Sequence, residues 1–578
     1  MRLKKLKIKN FRGVGTGVNG DGVEVEFDSN NIIFICGENN AGKSTILEAY
    51  DMLVTASRKA KLNDFHGKDT SKPIEIEAWI QAETEDDREN KALAKLWDVE
   101  GIAKVKKKWL CEEGTGTKET KDPEKGWITG GAGGMDSLLQ NACPTPVWIR
   151  GSTAPEEILA LLQSLVQETI LKALSRESVY LNAIEAVEKL EKEITESKYS
   201  QQIQKNLNLA LSEVFPSLKF LLGSEGNTNI SELFKKSTVV SIQQDGKPAM
   251  DFMTHGHGVR RQFIVSALRG LAKQLEEIKK TAKQRKAHNF EFDSEISRDI
   301  EQEIIGVKSR ILLIEEPELY LHPEAIRCIR DLIYELGNDS EFQILAATHA
   351  PIMVDLSKPH TTLVRAYVNE NQVNELHQVS HDLFTPDERD CMKMLNYFNP
   401  HVCEAFFNDK VVLVEGDTEA VAIRAIMARM VSKGLASESV HVVNCGTKNN
   451  IPFFQKVLTH FKIPHWVLHD VDSKIDKNGD KNTAWTLNEK IWAAIEYSKS
   501  NNVNATRFTF ESEFETGHGY KYKSQLGKPY SAFLESQQWG LDDRSKQSIK
   551  YLRFILGIDK IDEIPHTQDY LETLVEMR

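Results

Sequence analysis

The sequence is poor in the features that mark secreted, membrane-spanning or nucleic-acid-coating proteins. Its seven cysteines are scattered singly, in odd number and without a C-x-x-C pair. No disulfide framework or zinc ribbon is therefore expected, and the thiols should be reduced in a cytoplasmic protein. No apolar run approaches the ~18 residues of a membrane span. The N-terminal MRLKKLKIKNF is basic, but it alternates as a strand would and lacks the apolar centre of a signal peptide. A net charge of −12 excludes binding of nucleic acid over the whole surface. It leaves open a local basic groove, or a metal site whose carboxylates make up part of the negative total. Internal repeats and extended low-complexity segments are missing too. What is present, 40% hydrophobic and 27% charged residues over 578 positions, is ordinary for a globular chain and implies three or four domains.

One stretch organises the rest, Asn31 to Tyr50, NIIFICGENNAGKSTILEAY. The apolar run Ile32–Ile35 predicts a buried strand, and Thr45–Tyr50 a helix. Between them Gly37–Ser44 fits the phosphate-loop pattern G-x-x-x-x-G-K-[ST]. Glycines let backbone N–H groups turn around phosphate oxygens, and the helix N-terminus adds its positive end. Lys43 would reach the β- and γ-phosphates and the Ser44 hydroxyl would bind Mg²⁺, with Gly37, Asn39, Asn40, Gly42 and Thr45 completing the cradle. The expected cofactors are ATP and Mg²⁺.

Taken in order, Leu3–Asn10 reads as an edge strand pairing with Val23–Phe27 as a hairpin. Ile74–Ile80 and Lys104–Leu110 are further strands, and Gly114–Gly134 reads as a mobile loop. Glu156–Leu174, Val179–Glu196 and Gln201–Val214 have helical spacing, an insertion suited to dimerisation. Thr238–Gln243 is a strand, and Thr254-His255-Gly256-His257-Gly258 leads into a helix. Ile311–Ile314 then delivers Glu315, Glu316 and Glu318 to a strand end, where open α/β sheets place their ligands. A helix (Glu324–Leu336) and a strand (Gln343–Ala347) follow, the latter ending at Thr348-His349-Ala350-Pro351. Paired acids after an apolar strand divide labour in phosphate-loop enzymes: Glu315 would support the Mg²⁺ shell and Glu316 polarise the attacking water. His349 would sense the γ-phosphate.

Asn10-Phe11-Arg12, the phosphate loop, Thr254–Gly258, EEPELYLHP and THAP together resemble an ABC-type ATPase head of the SMC/RecF kind. The resemblance adds Arg12 to the nucleotide site and implies that Thr254, Gly256 and Gly258 reach a second ATP across a dimer. Thr254 stands where the family usually has Ser, and Glu315 where it often has Asp; both keep the chemical group.

A second βα unit begins at Lys410–Val414, turns at Glu415-Gly416-Asp417-Thr418-Glu419 and enters the helix Ala420–Val431. Val440–Val443, His465–Leu468 and Thr506–Phe510 are further strands, the last two leading to Asp470-Val471-Asp472 and to Glu511–Glu515. Strand ends carrying Glu415, Glu419, Asp470 and Asp472 can converge in a parallel sheet, and hard oxygen ligands suit Mg²⁺ or Mn²⁺, not zinc. Glu513 and Glu515 could complete the shell, with Glu511 a third candidate, and Lys528 could neutralise a transition-state phosphorane. The unit resembles a Toprim domain. Lys448 is expected on the surface, with contact to a DNA phosphate as the alternative.

An ATPase head followed by a Toprim domain is similar to the overcoming-lysogenisation-defect (OLD) family of nucleases. The expected fold is α/β: an ABC-type ATPase domain in two halves (1–153 and 226–385) around a helical insertion (154–225), then a parallel-sheet Toprim domain (386–578). The resemblance implies an ATP-hydrolysing, metal-dependent DNA endonuclease in anti-phage defence, a homodimer, with Glu415, Glu419, Asp470, Asp472, Glu513 or Glu515, and Lys528 as the cleavage residues. Some members act with a helicase, or with a reverse transcriptase and its RNA–DNA product. The alternative is an ATP-driven DNA-binding or clamp protein without cleavage. A topoisomerase-like strand passer would need a nucleophilic tyrosine, for which Tyr520, Tyr522 and Tyr530 are the candidates.

Overall fold

The computed structural model describes residues 1–150 and 310–576, apart from short stretches of which 130–142 is the longest, and only scattered positions of 151–309. The chain divides into two units, Met1–Gly151 with Lys308–Leu319 and Gly337–Arg578, and Ser152–Val307 with Tyr320–Leu336. Among the described residues, the second unit holds a short antiparallel ladder, β9 (Ser241–Ile242) with β10 (Met250–Asp251), and all but the last residue of helix α2 (Pro323–Gly337). Of the expected helical insertion only Asn182, Glu185, Ala186 and Lys189 are among the described residues, all helical and exposed, and of the Thr254–Gly258 segment only Gly256.

The first unit contains three larger sheets. One is antiparallel throughout, in the order β2 (Val23–Glu26), β1 (Arg2–Lys9), β4 (Ile74–Gln81), β5 (Ile102–Trp109), β6 (Thr117–Asp122), β7 (Gly126–Thr129). The expected edge strand β1 is therefore interior, because it pairs with β4 as well as β2. The expected loop Gly114–Gly134 contains the β6–β7 hairpin. Its strands are polar and are held by ion pairs such as Lys106 to Glu119 at 3.3 Å and by the Lys106 ammonium 4.0 Å from the Trp127 ring centre.

The second sheet runs β14 (Asn374–Ser380), β13 (Thr361–Val368), β3 (Ile32–Gly37), β12 (Phe342–Ala347), β11 (Arg310–Glu315), β8 (Thr145–Ile149), parallel except for β14. Its central strands β3 and β12 are buried along their whole length, as their largely apolar sequences favour. Helix α1 (Lys43–Val54) shares one apolar core with residues of both sheets: Ile46, Leu47, Tyr50 and Leu53 pack with Leu6, Ile8 and Ile76 of the first and with Ile35, Leu313 and Leu345 of the second. Each such side chain contributes about 1.5–3 kcal/mol by leaving water. Two glutamines join the sheets by copying strand pairing. The Gln343 amide accepts from Leu3 N and donates to Leu3 O, both at 2.7 Å, and Gln378 does the same with Glu26.

The third sheet is wholly parallel, β16 (His441–Asn444), β15 (Val411–Val414), β17 (His465–Asp470), β18 (Ala505–Phe510). Helices α3 (Asp417–Ser432) and α7 (Lys528–Gln538) cover one face, and α4 (Ile451–His460) and α5 (Thr483–Ser500) the other, with the short α6 (Phe514–Gly517) between α5 and α7 in sequence. A 3₁₀ segment, Pro400–Phe407, joins this sheet to β3. Cys36, next to the phosphate loop, donates its thiol to Phe406 O at 3.9 Å. Arg365, opposite Cys36 in the β13–β3 register and 4% exposed, donates to Asp409 at 2.6 Å and to the carbonyls of Asn408 and Phe461.

Candidate nucleotide and metal sites

The phosphate loop leaves β3 through Gly37, whose φ of 137° suits glycine; a Cβ there would lie 1.9 Å from Ala366 O. Gly42, at φ 89°, immediately precedes α1, and a Cβ there would lie 2.2 Å from Asn374 Nδ2. Asn40 adopts φ 66°, Asn39 and Asn40 are exposed and Thr45 is buried. Lys43 opens the helix and folds back to donate to Gly37 O (3.0 Å) and Glu38 O (2.6 Å). Burial lowers its pKa to about 8 against the pull of Cys36, Glu316, Glu318 and Glu38.

Parallel pairing of β11 and β12 beside β3 brings the acids to this loop. The Ser44 hydroxyl donates to Glu315 Oε1, so the two groups assigned to one Mg²⁺ shell are in contact. Glu316 sits in the left-handed region at φ 48°, with its carboxylate 3.7 Å from His349 Nε2. Burial first, then Lys43, lowers the His349 pKa, while Glu316 and Glu318 oppose the shift. The sequence reading gave Glu318 no role. Its Oε1 accepts the His349 backbone N–H at 2.7 Å and its Oε2 is buried without a hydrogen-bond partner; the third acid of EEPE was the available signal. Arg12 is engaged by two acids. Its guanidinium lies on Glu48 of α1 (2.6 Å) and on Asp64 (3.1 Å). Gly256 is exposed, and Thr254 and Gly258 lie outside the described residues.

In the third sheet β15 and β17 are neighbours, so Glu415 and Asp470 emerge from adjacent strand ends, and β18 brings the Glu513–Glu515 segment beside them. Glu419, in the first turn of α3, accepts from Gly416 N at 3.1 Å. Burial is the largest cause raising all three of Asp470, Glu415 and Glu419, and mutual repulsion adds to it; Asp470 is pushed up to about 8. Glu415 Oε2 and Asp470 Oδ1 are buried without hydrogen-bond partners. Lys448 is not a surface residue. It is 4% exposed and donates to Asp470 O at 2.7 Å and to the Asp472 carboxylate. Lys528 begins α7, 3.2 Å from buried Glu515 and 3.6 Å from exposed Glu513; Glu511 lies outside the described residues.

Among the described residues no three His, Cys, Asp or Glu side chains are disposed to hold a metal ion as they stand. The donor set still fits a hard divalent cation. It is all oxygen, it has unsatisfied buried carboxylate atoms, and its charges oppose one another in the way a bound cation relieves. The Tyr520 hydroxyl is buried without a partner, and burial, Glu515 and Glu419 push its pKa upward, so it is a poor nucleophile. Tyr522 and Tyr530 are exposed.

Residues 406–472 match the family described as "Overcoming lysogenization defect protein-like, TOPRIM domain", and residues 1–122 and 153–354 match the "AAA ATPase domain" family. The chain belongs to the AAA ATPase domain family. It is 26% identical to the "Old nuclease" of Escherichia phage P2 over 477 residues, covering 76% of this chain and 73% of that protein. It is 31% identical over 190 residues to the "OLD nuclease" of Thermus scotoductus, covering 31% and 34%. Among solved structures, the SMC head domain from Thermotoga maritima is 13% identical with a TM-score of 0.30, over 66% of this chain and 100% of that one. ATPase and Toprim domains together imply nucleotide and divalent-metal use. No helix among the described residues is long and apolar enough to cross a membrane.

Proposed function

We propose that this chain is an OLD-type, ATP-hydrolysing, Mg²⁺-dependent DNA endonuclease, a cytoplasmic homodimer acting in defence against phage. The observation that carries the cleavage reading is the group of buried acids at the ends of β15 and β17, with Glu415 Oε2 and Asp470 Oδ1 unpartnered. A scaffold has no use for buried carboxylates that repel one another. Glu415, Glu419, Asp470, Asp472 and Glu513 or Glu515 would hold the metal, with Mn²⁺ as a substitute for Mg²⁺. Bound divalent ions stabilise the attacking and leaving oxygens of a phosphodiester. Lys528, beside Glu513 and Glu515, would neutralise charge on the phosphorane, and Lys448 would hold the Asp470–Asp472 turn.

At the other site Lys43 would bind the β- and γ-phosphates in the cradle of Gly37, Asn39, Asn40, Gly42 and Thr45. Ser44 and Glu315 would share the Mg²⁺ shell, Glu316 would take the proton of the attacking water, and His349 would sense the γ-phosphate. Thr254, Gly256 and Gly258 would meet the second nucleotide of a dimer. The relatives named as nucleases support cleavage over the alternative of an ATP-driven clamp. The test pairs plasmid cleavage with phosphate release on one Asp470→Ala preparation. Cleavage should fall on the order of a hundredfold or more, with ATP hydrolysis nearly intact; unchanged cleavage would overturn the Toprim assignment.

A further inference from the structure

We propose that the surface from Lys521 to Phe533, beside the carboxylate cluster, is a stacking platform for unpaired bases, so that nucleic acid reaching the Toprim site is single-stranded there; this rests on the nuclease reading above. Five aromatic side chains are exposed among the described residues, Tyr497, Tyr522, Tyr530, Phe533 and Tyr570. Three of the five fall in this one segment, with exposed Leu526 between them. A single exposed ring is ordinary. Three rings interleaved with exposed Lys521, Lys523 and Lys528, on a chain of net charge −12, are a local departure from the rest of the molecule.

The rings are placed with respect to the site. The Lys528 ammonium is 3.2 Å from Glu515 and 5.4 Å from the Tyr522 ring centre, so Tyr522 is one side chain away from the acids. Tyr530 and Phe533, on α7, stand 6.4 Å apart and within 13° of parallel. The connecting turn is held: Lys523 N donates to the Ser531 hydroxyl, and Leu526 N and Gly527 N both donate to Lys523 O. Every base has a π-face, but a duplex hides it and offers this surface only phosphates. Rings therefore select unpaired bases, while the lysines follow the backbone.

The experiment measures fluorescence anisotropy of a fluorescein-labelled oligothymidine of about 20 nucleotides, and of its duplex with oligoadenine, on the full chain in EDTA. Wild type should bind the single strand more tightly than the duplex. Tyr522→Ala and the double variant Tyr530→Ala/Phe533→Ala should each weaken single-strand binding about fivefold to a hundredfold. Tyr522→Phe should retain binding, as should Tyr497→Ala on α5, a control ring outside the segment. Equal wild-type affinity for both forms, or an unchanged single-strand affinity in both alanine variants, would overturn the proposal. So would a change of molecular mass in those variants with DNA binding intact, since that would mark a protein-docking surface. EDTA removes any need for cleavage, so this outcome is separate from the plasmid assay that decides the nuclease reading.

Discussion

Asp470 is the residue at which function and folding should conflict most. Its carboxyl is buried among Glu419, Glu415 and Asp472 and held at about 8, against an ordinary 3.8, while Lys448 pulls the other way. A carboxyl whose folded pKa is raised keeps its proton when the unfolded chain has already lost it. Stability is therefore lost as pH climbs from about 4 to about 8, and the loss is complete above that. At about 1.4 kcal/mol per pH unit this allows several kcal/mol, of which we expect on the order of 2–4 after the acids relax around Lys448. Asp470→Asn keeps the shape and removes the charge. In EDTA at pH 8 it should melt higher than wild type, by roughly 5–10 °C for a domain of this size. The gap should close near pH 4, where both forms are neutral. Mg²⁺ should raise the wild-type melting temperature more than that of the variant, and the variant should not cut plasmid. A melting temperature equal to wild type at pH 8 in EDTA, or a gap that does not widen with pH, would refute the claim that these acids strain the fold.

Lys43→Ala should abolish ATP turnover, and Glu316→Gln should keep nucleotide binding but lose hydrolysis; turnover by Glu316→Gln at the wild-type rate would remove Glu316 from its role. Arg365→Met retains bulk but strips the donors from Asn408 O, Phe461 O and Asp409. Because Asp409 is half-exposed and can hydrate, the cost should be on the order of 1–3 kcal/mol, read by urea denaturation. Deleting Glu156–Val214 should convert a dimer to a monomer in light scattering, and a mass left at the dimer value would count against that contact.

The parts of both sites that sequence made legible are those whose chemistry requires neighbouring residues. The phosphate loop, EEPE and Asp470-x-Asp472 each follow an apolar strand that announces itself. What escaped depends on distant partners. The partners of Arg12, Glu48 and Asp64, are not visible in its local sequence. Lys448 looked like a surface lysine because its burial is set by the Asp470–Asp472 turn 22 residues on. The β6–β7 hairpin escaped because its stability lies in cross-strand charges and not in apolar alternation. The strands β8, β13 and β14 escaped because membership of a sheet is decided by neighbours far along the chain.

A short path of contacts runs from Gly37 through Cys36 and Arg365 to Phe406 and Asp409, between the phosphate loop and the segment that enters β15. Were a nucleotide to displace β3, the 3₁₀ segment that precedes β15 is the element in contact with it. Free energy passed in one direction is passed equally in the other. If ATP changes DNA affinity by some factor, DNA must change ATP affinity by the same factor, whichever of the two the cell varies. DNA would then be an effector of the ATPase as well as a substrate, and nucleotide occupancy in the cell would report how much DNA the protein holds.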